Sequence, residues 1–342
     1  MPRILSALVV VAACLFFVAG PAGADPAKPT NYRSTVASIA PASPYVRMKV
    51  VGGDGFLDLD VVRGHEVVVE GYLGEPYLRV LKDGTVQQNS SSPATYLNRS
   101  RFAKVTLPAA LQRSPLPAPQ WRTIGSGGHS VWHDHRIHFM GHNPHLIAGL
   151  AEGRPVRWTV AFSVDGVKTV ASGSYRMLGA PSPLPYVGGA LVLVAAVVLL
   201  GRRNEILVAA ICVVVAGIVG FLVGWEQNAA IPAGAGATPI TVALPALGAA
   251  LGLVGLAKRK VPAGVITTLA GVACAGGWVL TRATVLWKAV LPTVMAPGLD
   301  RAGTALVAGL AIGAAVIAVR SGALAAAPAP AQADGPPGTA PA

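Results

Sequence analysis

Residues 184–201 read LPYVGGALVLVAAVVLLG, eighteen positions without one charged side chain, closed by Arg202-Arg203 and preceded by Pro181-Ser182-Pro183. A bilayer needs about 20 apolar residues for a helical span, so this stretch marks where the chain enters lipid. Four more stretches follow the same rule: 206–225, 237–257, 262–281 and 302–319. The sequence therefore predicts a C-terminal domain of about five transmembrane helices over 181–320. Ala/Pro/Gly-rich residues 321–342 form a tail with no means of building a core.

Upstream the character of the chain changes. Residues 25–180 carry most of the charges and all seven histidines. Residues 46–50, 56–61 and 65–72 alternate apolar and polar side chains in the strand period. Asp83-Gly84 and Asp165-Gly166 sit between further alternating runs, as hairpin turns do. Short strands with frequent turns predict an extracytoplasmic antiparallel β-sandwich over 25–180, joined to the membrane domain by the stiff Pro181–Pro185 neck. Residues 1–24 read as a signal peptide, with Arg3, an apolar core from Leu5 to Val18, and the small-residue site Ala22-Gly23-Ala24. Val11-Ala12-Ala13-Cys14 offers lipidation of Cys14 as an alternative.

Composition agrees with this division. Only 12% of the 342 residues are charged and 53% are hydrophobic, against about 25% charged in a soluble domain. The net charge of +12 raises the question of nucleic acid, but no Lys/Arg patch is interleaved with aromatics, so nucleic acid is excluded as a partner. The lipid bilayer is the partner the sequence does establish. Basic residues cluster instead in alternate short loops. Arg202, Arg203, Lys258, Arg259, Lys260 and Arg320 fall on one side, and Arg282, Lys288 and Arg301 on the other. That asymmetry predicts a multi-pass plasma-membrane protein, with the N-terminal domain outside and the C-terminus in the cytoplasm. The loop 282–301 is expected to lie along the membrane surface or dock under the β-domain. The helices carry small residues such as Gly217, Gly220, Gly248 and Gly252, suited to close packing. Their interiors read as nearly free of ionisable groups, which argues against a pump.

One segment departs from the background. Trp132-His133-Asp134-His135-Arg136-Ile137-His138-Phe139-Met140-Gly141-His142-Asn143-Pro144-His145, with His129 before it, places six of the seven histidines within seventeen residues. In an extended segment, alternate side chains share a face. His133 and His135 would then lie on one face, and Asp134, Arg136, His138, Met140 and His142 on the other. Imidazole suits copper and zinc, and a thioether selects Cu(I). The metal-ligand candidates are therefore His133, His135, His138, Met140 and His142. Asp134, Arg136, His129 and His145 are candidates for orienting groups or an interface. Copper is the expected ion and zinc the alternative. The competing reading is a polar network, in which the cluster docks a partner or the protein's own membrane domain. A third reading is an envelope enzyme using a metal-bound water, which needs Glu70, Glu75 or Asp134 beside the histidines; there is no Gly-x-Ser-x-Gly elbow and no phosphate loop. Gly125-Ser126-Gly127-Gly128 lacks a following helix pattern and reads as a turn into the histidine segment.

The run Trp132 to Met140 resembles the motif of a family of uncharacterised actinobacterial membrane proteins. These share the plan of signal peptide, ectodomain and several C-terminal helices, and usually read Trp where Phe139 stands. The resemblance implies architecture rather than activity. A second resemblance is to periplasmic copper-resistance carriers. Arg157-Trp158-Thr159-Val160, Ser163-Val164-Asp165-Gly166 and Gly173-Ser174-Tyr175 are similar to the last hairpin of their immunoglobulin-like sandwich. It implies an immunoglobulin-like fold, copper handling in the cell envelope and metal-handling envelope proteins as partners. The carriers' ligand His after the Asp-Gly pair is Val167 here, and the mature chain would begin with Asp25 rather than His. Copper, if bound, falls to the cluster.

Overall fold

The computed structural model of the chain describes residues 27–113, 117–141, 143–231 and 238–325. The signal-peptide segment with Cys14, His142 and residues 326–342 of the expected tail lie outside the described residues.

The N-terminal domain consists of two antiparallel sheets. Its strands are β1 (Tyr32–Ala40), β2 (Val46–Val51), β3 (Phe56–Val61), β4 (Val67–Glu70), β5 (Pro76–Val80), β6 (Val86–Asn89), β7 (Trp121–Gly125), β8 (His129–His133), β9 (Val156–Val164) and β10 (Val167–Met177). One sheet runs β1-β10-β9-β4-β5-β6-β7 and the other β2-β3-β8. Alternation decides which side chains face inward. Val67 and Val69 of β4, Val160 and Phe162 of β9, and Leu57 and Leu59 of β3 are at most 1% exposed and belong to one shared core. The β9–β10 hairpin closes over Asp165 and Gly166, with Val164 paired to Val167. Both turn residues have positive φ, 49° and 83°, which is the two-residue geometry that matches strand twist.

Sequence alternation missed β1, β7 and β8. It also missed two helices in the domain, α1 (Ala94–Leu97) and α2 (Pro144–Ala151). α2 is too short for helical periodicity to register. Its start is nonetheless marked: Asn143 Oδ1 accepts from the His145 and Leu146 backbone amides, with Pro144 at the first helical position.

The C-terminal bundle contains α3 (Leu184–Leu200), α4 (Glu205–Ala229), α5 (Ile240–Ala257), α6 (Pro262–Arg282) and α7 (Pro297–Ala325). Four of these, α4 to α7, are long and apolar enough to cross a membrane. α3 has 17 residues, a rise of about 26 Å against a hydrocarbon core of about 30 Å. Small residues let the helices touch. A Cβ on Gly217 would lie 2.5 Å from the Ala249 backbone nitrogen, and one on Gly252 2.9 Å from that of Val214.

Two sequence expectations are corrected here. α7 begins at Pro297 rather than near 302 and runs on to Ala325, past Arg320. As a result Arg282, Asp300 and Arg301 are not loop residues. They sit in helices and are 4%, 1% and 7% exposed. The bundle therefore does hold buried ionisable groups at one end, where Arg282 Nη2 donates to Asp300 Oδ1 at 2.6 Å. The apolar stretches 262–281 and 302–319 stop just short of these charges, whereas the helices run on through them.

The segment between α6 and α7 docks on the β-domain. Thr30 and Val290 exchange both backbone hydrogen bonds at 2.9 Å. Asn31 Oδ1 accepts from Ala289 N at 2.9 Å. Arg301 holds the same segment from below, donating to the carbonyls of Val285 (3.1 Å) and Lys288 (2.6 Å).

Candidate metal centre

Three features of the local sequence build the site. Gly127 and Gly128 have φ of 86° and 75°. A Cβ on Gly128 would lie 2.4 Å from Val61 O, so glycine permits the close turn that starts β8. β8 pairs with β3, setting His133 opposite Phe56 and His129 opposite Asp60. Asp134 then caps a 3-10 turn, His135–Ile137, accepting from Arg136 N at 3.0 Å. Trp132 and Ile137 are core residues, 5% and 0% exposed, and they pin the two ends of the turn.

The turn alters the face assignment. An extended chain would put His138 opposite His133 and His135. The reversal at 135–137 brings it back to them. The ring centroids of His133, His135 and His138 stand 4.6 to 5.7 Å apart. One nitrogen from each lies within 4.8 Å of the others, an arrangement that could hold a metal ion.

Each ring also gives a nitrogen to a backbone carbonyl. His133 Nδ1 donates to Gly55 O. His135 Nε2 donates to Ser100 O at 2.8 Å, and His138 Nδ1 to Phe139 O at 3.1 Å. Such bonds fix the tautomer and orient the ring, as carbonyls commonly do for metal-binding histidine. With Nδ1–H donated on both, His133 Nε2 and His138 Nε2 retain lone pairs, and these two atoms face one another at 2.9 Å.

Electrostatics keep the rings neutral. Burial, and second the nearby Arg101 guanidinium, drive His138 down to about 2. Burial lowers His133 to about 4, although the Gly55 carbonyl works in the opposite direction. Burial likewise lowers His135. Arg101 itself is held by Asp54, Nη2 to Oδ2 at 2.6 Å.

Asp134 and Arg136 form the support. Asp134 is 0% exposed. Its Oδ1 accepts from Arg136 Nε at 2.9 Å, and its Oδ2 from Arg136 Nη2 at 2.7 Å and Trp132 Nε1 at 3.0 Å. Burial alone would raise its carboxyl, yet these bonds from Arg136 hold it below the usual range. Arg136 also donates to Glu70 O at 3.2 Å and lies over the Tyr72 ring. Tyr72 in turn stacks on His135 at 5.6 Å, and its hydroxyl accepts from His135 N at 2.9 Å.

The other candidates separate. Met140 is 37% exposed and lines a cleft of about 290 Å³ shared with His135 and His138. It is outside the three-nitrogen group. His145 is exposed on α2. His129 belongs to a second group with Asp58 and Asp60 that could also hold a metal ion. There His129 Nε2 meets Asp58 Oδ1 at 3.0 Å, while Lys49 Nζ already neutralises Asp58 Oδ2 at 3.3 Å. Sequence reasoning missed the two carboxylates. Their i, i+2 spacing on β3 was the available signal, but only strand pairing brings His129 beside them.

No protein-family model, curated protein or solved structure matches this chain.

Proposed function

We propose that the chain is a cell-envelope membrane protein that binds a transition-metal ion, copper in preference to zinc, through His133, His135 and His138. The observation that carries this is a shortage of protons. The rings of His133 and His138 make three close polar contacts: to Gly55 O, to Phe139 O and to each other. Three hydrogen bonds need three protons, and two neutral imidazoles carry two. A third proton is opposed by burial and by Arg101. A metal ion between the two Nε2 lone pairs removes the conflict without it. Nitrogens bound tetrahedrally at 2.0–2.1 Å are about 3.3 Å apart, so the pair need separate by only a few tenths of an ångström.

Copper is favoured because imidazole accepts it and the Met140 thioether borders the same cleft. The resemblance of the β9–β10 hairpin to copper-resistance carriers points the same way. Strand order supports an immunoglobulin-like reading of the fold. β4-β9-β10 follows the C-F-G sequence of that sandwich and β2-β3-β8 its A-B-E. The loop-charge asymmetry supports an extracytoplasmic β-domain and a cytoplasmic C-terminus. In this reading the protein buffers or passes metal at the outer face, in contact with other metal-handling envelope proteins.

The test is elemental analysis of the full chain purified from cells grown with copper and zinc, beside a His133→Ala/His135→Ala variant and a His129→Ala variant. About one copper per chain, lost only in the double variant, supports the reading. Negligible metal in both wild type and double variant removes it.

A second reading, docking of a partner protein beside the cluster, is favoured by exposed Met140, Leu146 and Ile147. Loss of a co-purifying partner with unchanged metal content would support it. Docking of the motif onto the protein's own bundle has less support, because Arg136 is engaged by Asp134 and Glu70, and the contact to the bundle uses Thr30 and Asn31.

A further inference from the structure

The buried charges at one end of the bundle are not absorbed by the metal centre. Arg282 of α6 donates through Nη1 to Gln227 Oε1 of α4 and through Nη2 to Asp300 Oδ1 of α7. Its guanidinium lies 5.0 Å from the Trp278 ring centroid. Arginine and carboxylate usually pair through two parallel bonds. Here only one forms. Arg282 Nε and Asp300 Oδ2 are buried and have no hydrogen-bond partner among the described residues. Leaving a charged group's donor or acceptor unpaired is costly.

Both residues line a cavity of about 360 Å³ where α4, α5, α6 and α7 meet the start of the β-domain. Its remaining wall is largely apolar, including Ala27, Ile240, Val285 and Leu291, with Lys28 also bordering it. The cavity thus offers cationic Arg282 and Lys28 and anionic Asp300 in a wall that otherwise carries no charge. A simple anion would satisfy Arg282 and be repelled by Asp300. A simple cation would meet the reverse. A molecule carrying both signs matches both residues.

We propose that this cavity binds a zwitterionic group, an ammonium and an anionic oxygen acid on one small molecule. The anion meets the Arg282 guanidinium, assisted by Lys28, and the ammonium meets the Asp300 carboxylate. Two sources share that chemistry: an ethanolamine-phosphate lipid headgroup or a free amino acid. The site lies at the ends of the spanning helices, within reach of a lipid whose acyl chains stay in the bilayer.

The test uses the full chain in detergent. Native mass spectrometry with added dioleoylphosphatidylethanolamine or dioleoylphosphatidylglycerol reads headgroup preference, and thermal shift with glycine reads the soluble source. The expected result is retention of phosphatidylethanolamine at least about tenfold above phosphatidylglycerol, as an added charge-assisted hydrogen bond supports. Asp300→Asn should abolish that preference. Because this change touches a buried ion pair, Ile240→Trp, which fills the cavity from its apolar wall, serves as the second variant and should lower retention of the lipid about tenfold. Stabilisation by glycine with no lipid preference would assign the same site to a soluble zwitterion. Equal retention of the two lipids together with no glycine shift overturns the proposal, as does an Ile240→Trp variant that binds like wild type.

Discussion

Acid should loosen the metal-free β-domain well above the pH at which its carboxylates titrate, and the histidine pair sets the size of the effect. The perturbation is a change from pH 7.5 to 5. His133 falls from an unfolded value of 6.5 to about 4, and His138 from 6.5 to about 2, chiefly through burial. Both side chains are 2% exposed, so solvent does not screen the effect. Below pH 6.5 the unfolded chain binds protons that the folded chain refuses, so stability declines as pH falls. The contribution is complete above 6.5. It is lost progressively toward about 4 for His133 and continues to about 2 for His138. At pH 5 each ring accounts for about 2 kcal/mol by this linkage, or about 4 kcal/mol for the pair. Hydrogen exchange corrected for its intrinsic pH dependence reads the result directly. Protection of the β3 and β8 amides in the metal-free chain should fall by up to about a thousandfold, at about 1.4 kcal/mol per decade. A His133→Gln/His138→Gln variant lacks both of these rings, keeps His135, and should lose most of that slope. The same slope in wild type and variant would refute the reasoning.

Four further outcomes follow from the geometry. Metal at 100 times its dissociation constant should stabilise the wild-type chain by about 2.7 kcal/mol in thermal unfolding, with no shift in His133→Ala/His135→Ala. Asp134→Asn should destabilise the β-domain by about 3–5 kcal/mol in denaturant unfolding, because Arg136 would be left buried without its anion. Gly128→Ala places a Cβ 2.4 Å from Val61 O at a positive φ. It should cost about 1–3 kcal/mol and weaken metal uptake, measured together by thermal shift with and without copper. Val290→Pro removes the amide that donates to Thr30 O. It should raise proteolytic cleavage in the 283–296 segment while leaving metal content unchanged.

Much of the architecture is a one-dimensional property. Hydropathy places helices because every backbone polar group in a span is satisfied within its own segment, so the code is local. Alternation finds β3, β4 and β9 for a similar reason: period two maps onto one buried face. It fails at β8, where His129, Ser130 and His133 interrupt the apolar pattern. There, strand formation comes from pairing with β3 rather than from local preference.

The sequence by itself determined that six histidines crowd one short stretch and that apolar stretches of spanning length follow the β-domain. Only the tertiary structure decided which of these groups meet. A 3-10 turn pinned by Trp132 and Ile137 returns His138 to His133, and residues far off in sequence, Gly55 and Ser100, supply the carbonyls that orient the rings. Likewise Arg282 reads as a loop charge in the sequence, and only packing of α6 against α7 joins it to Asp300. Contacts of this kind depend on distance in space, and spacing along the chain carries no record of it.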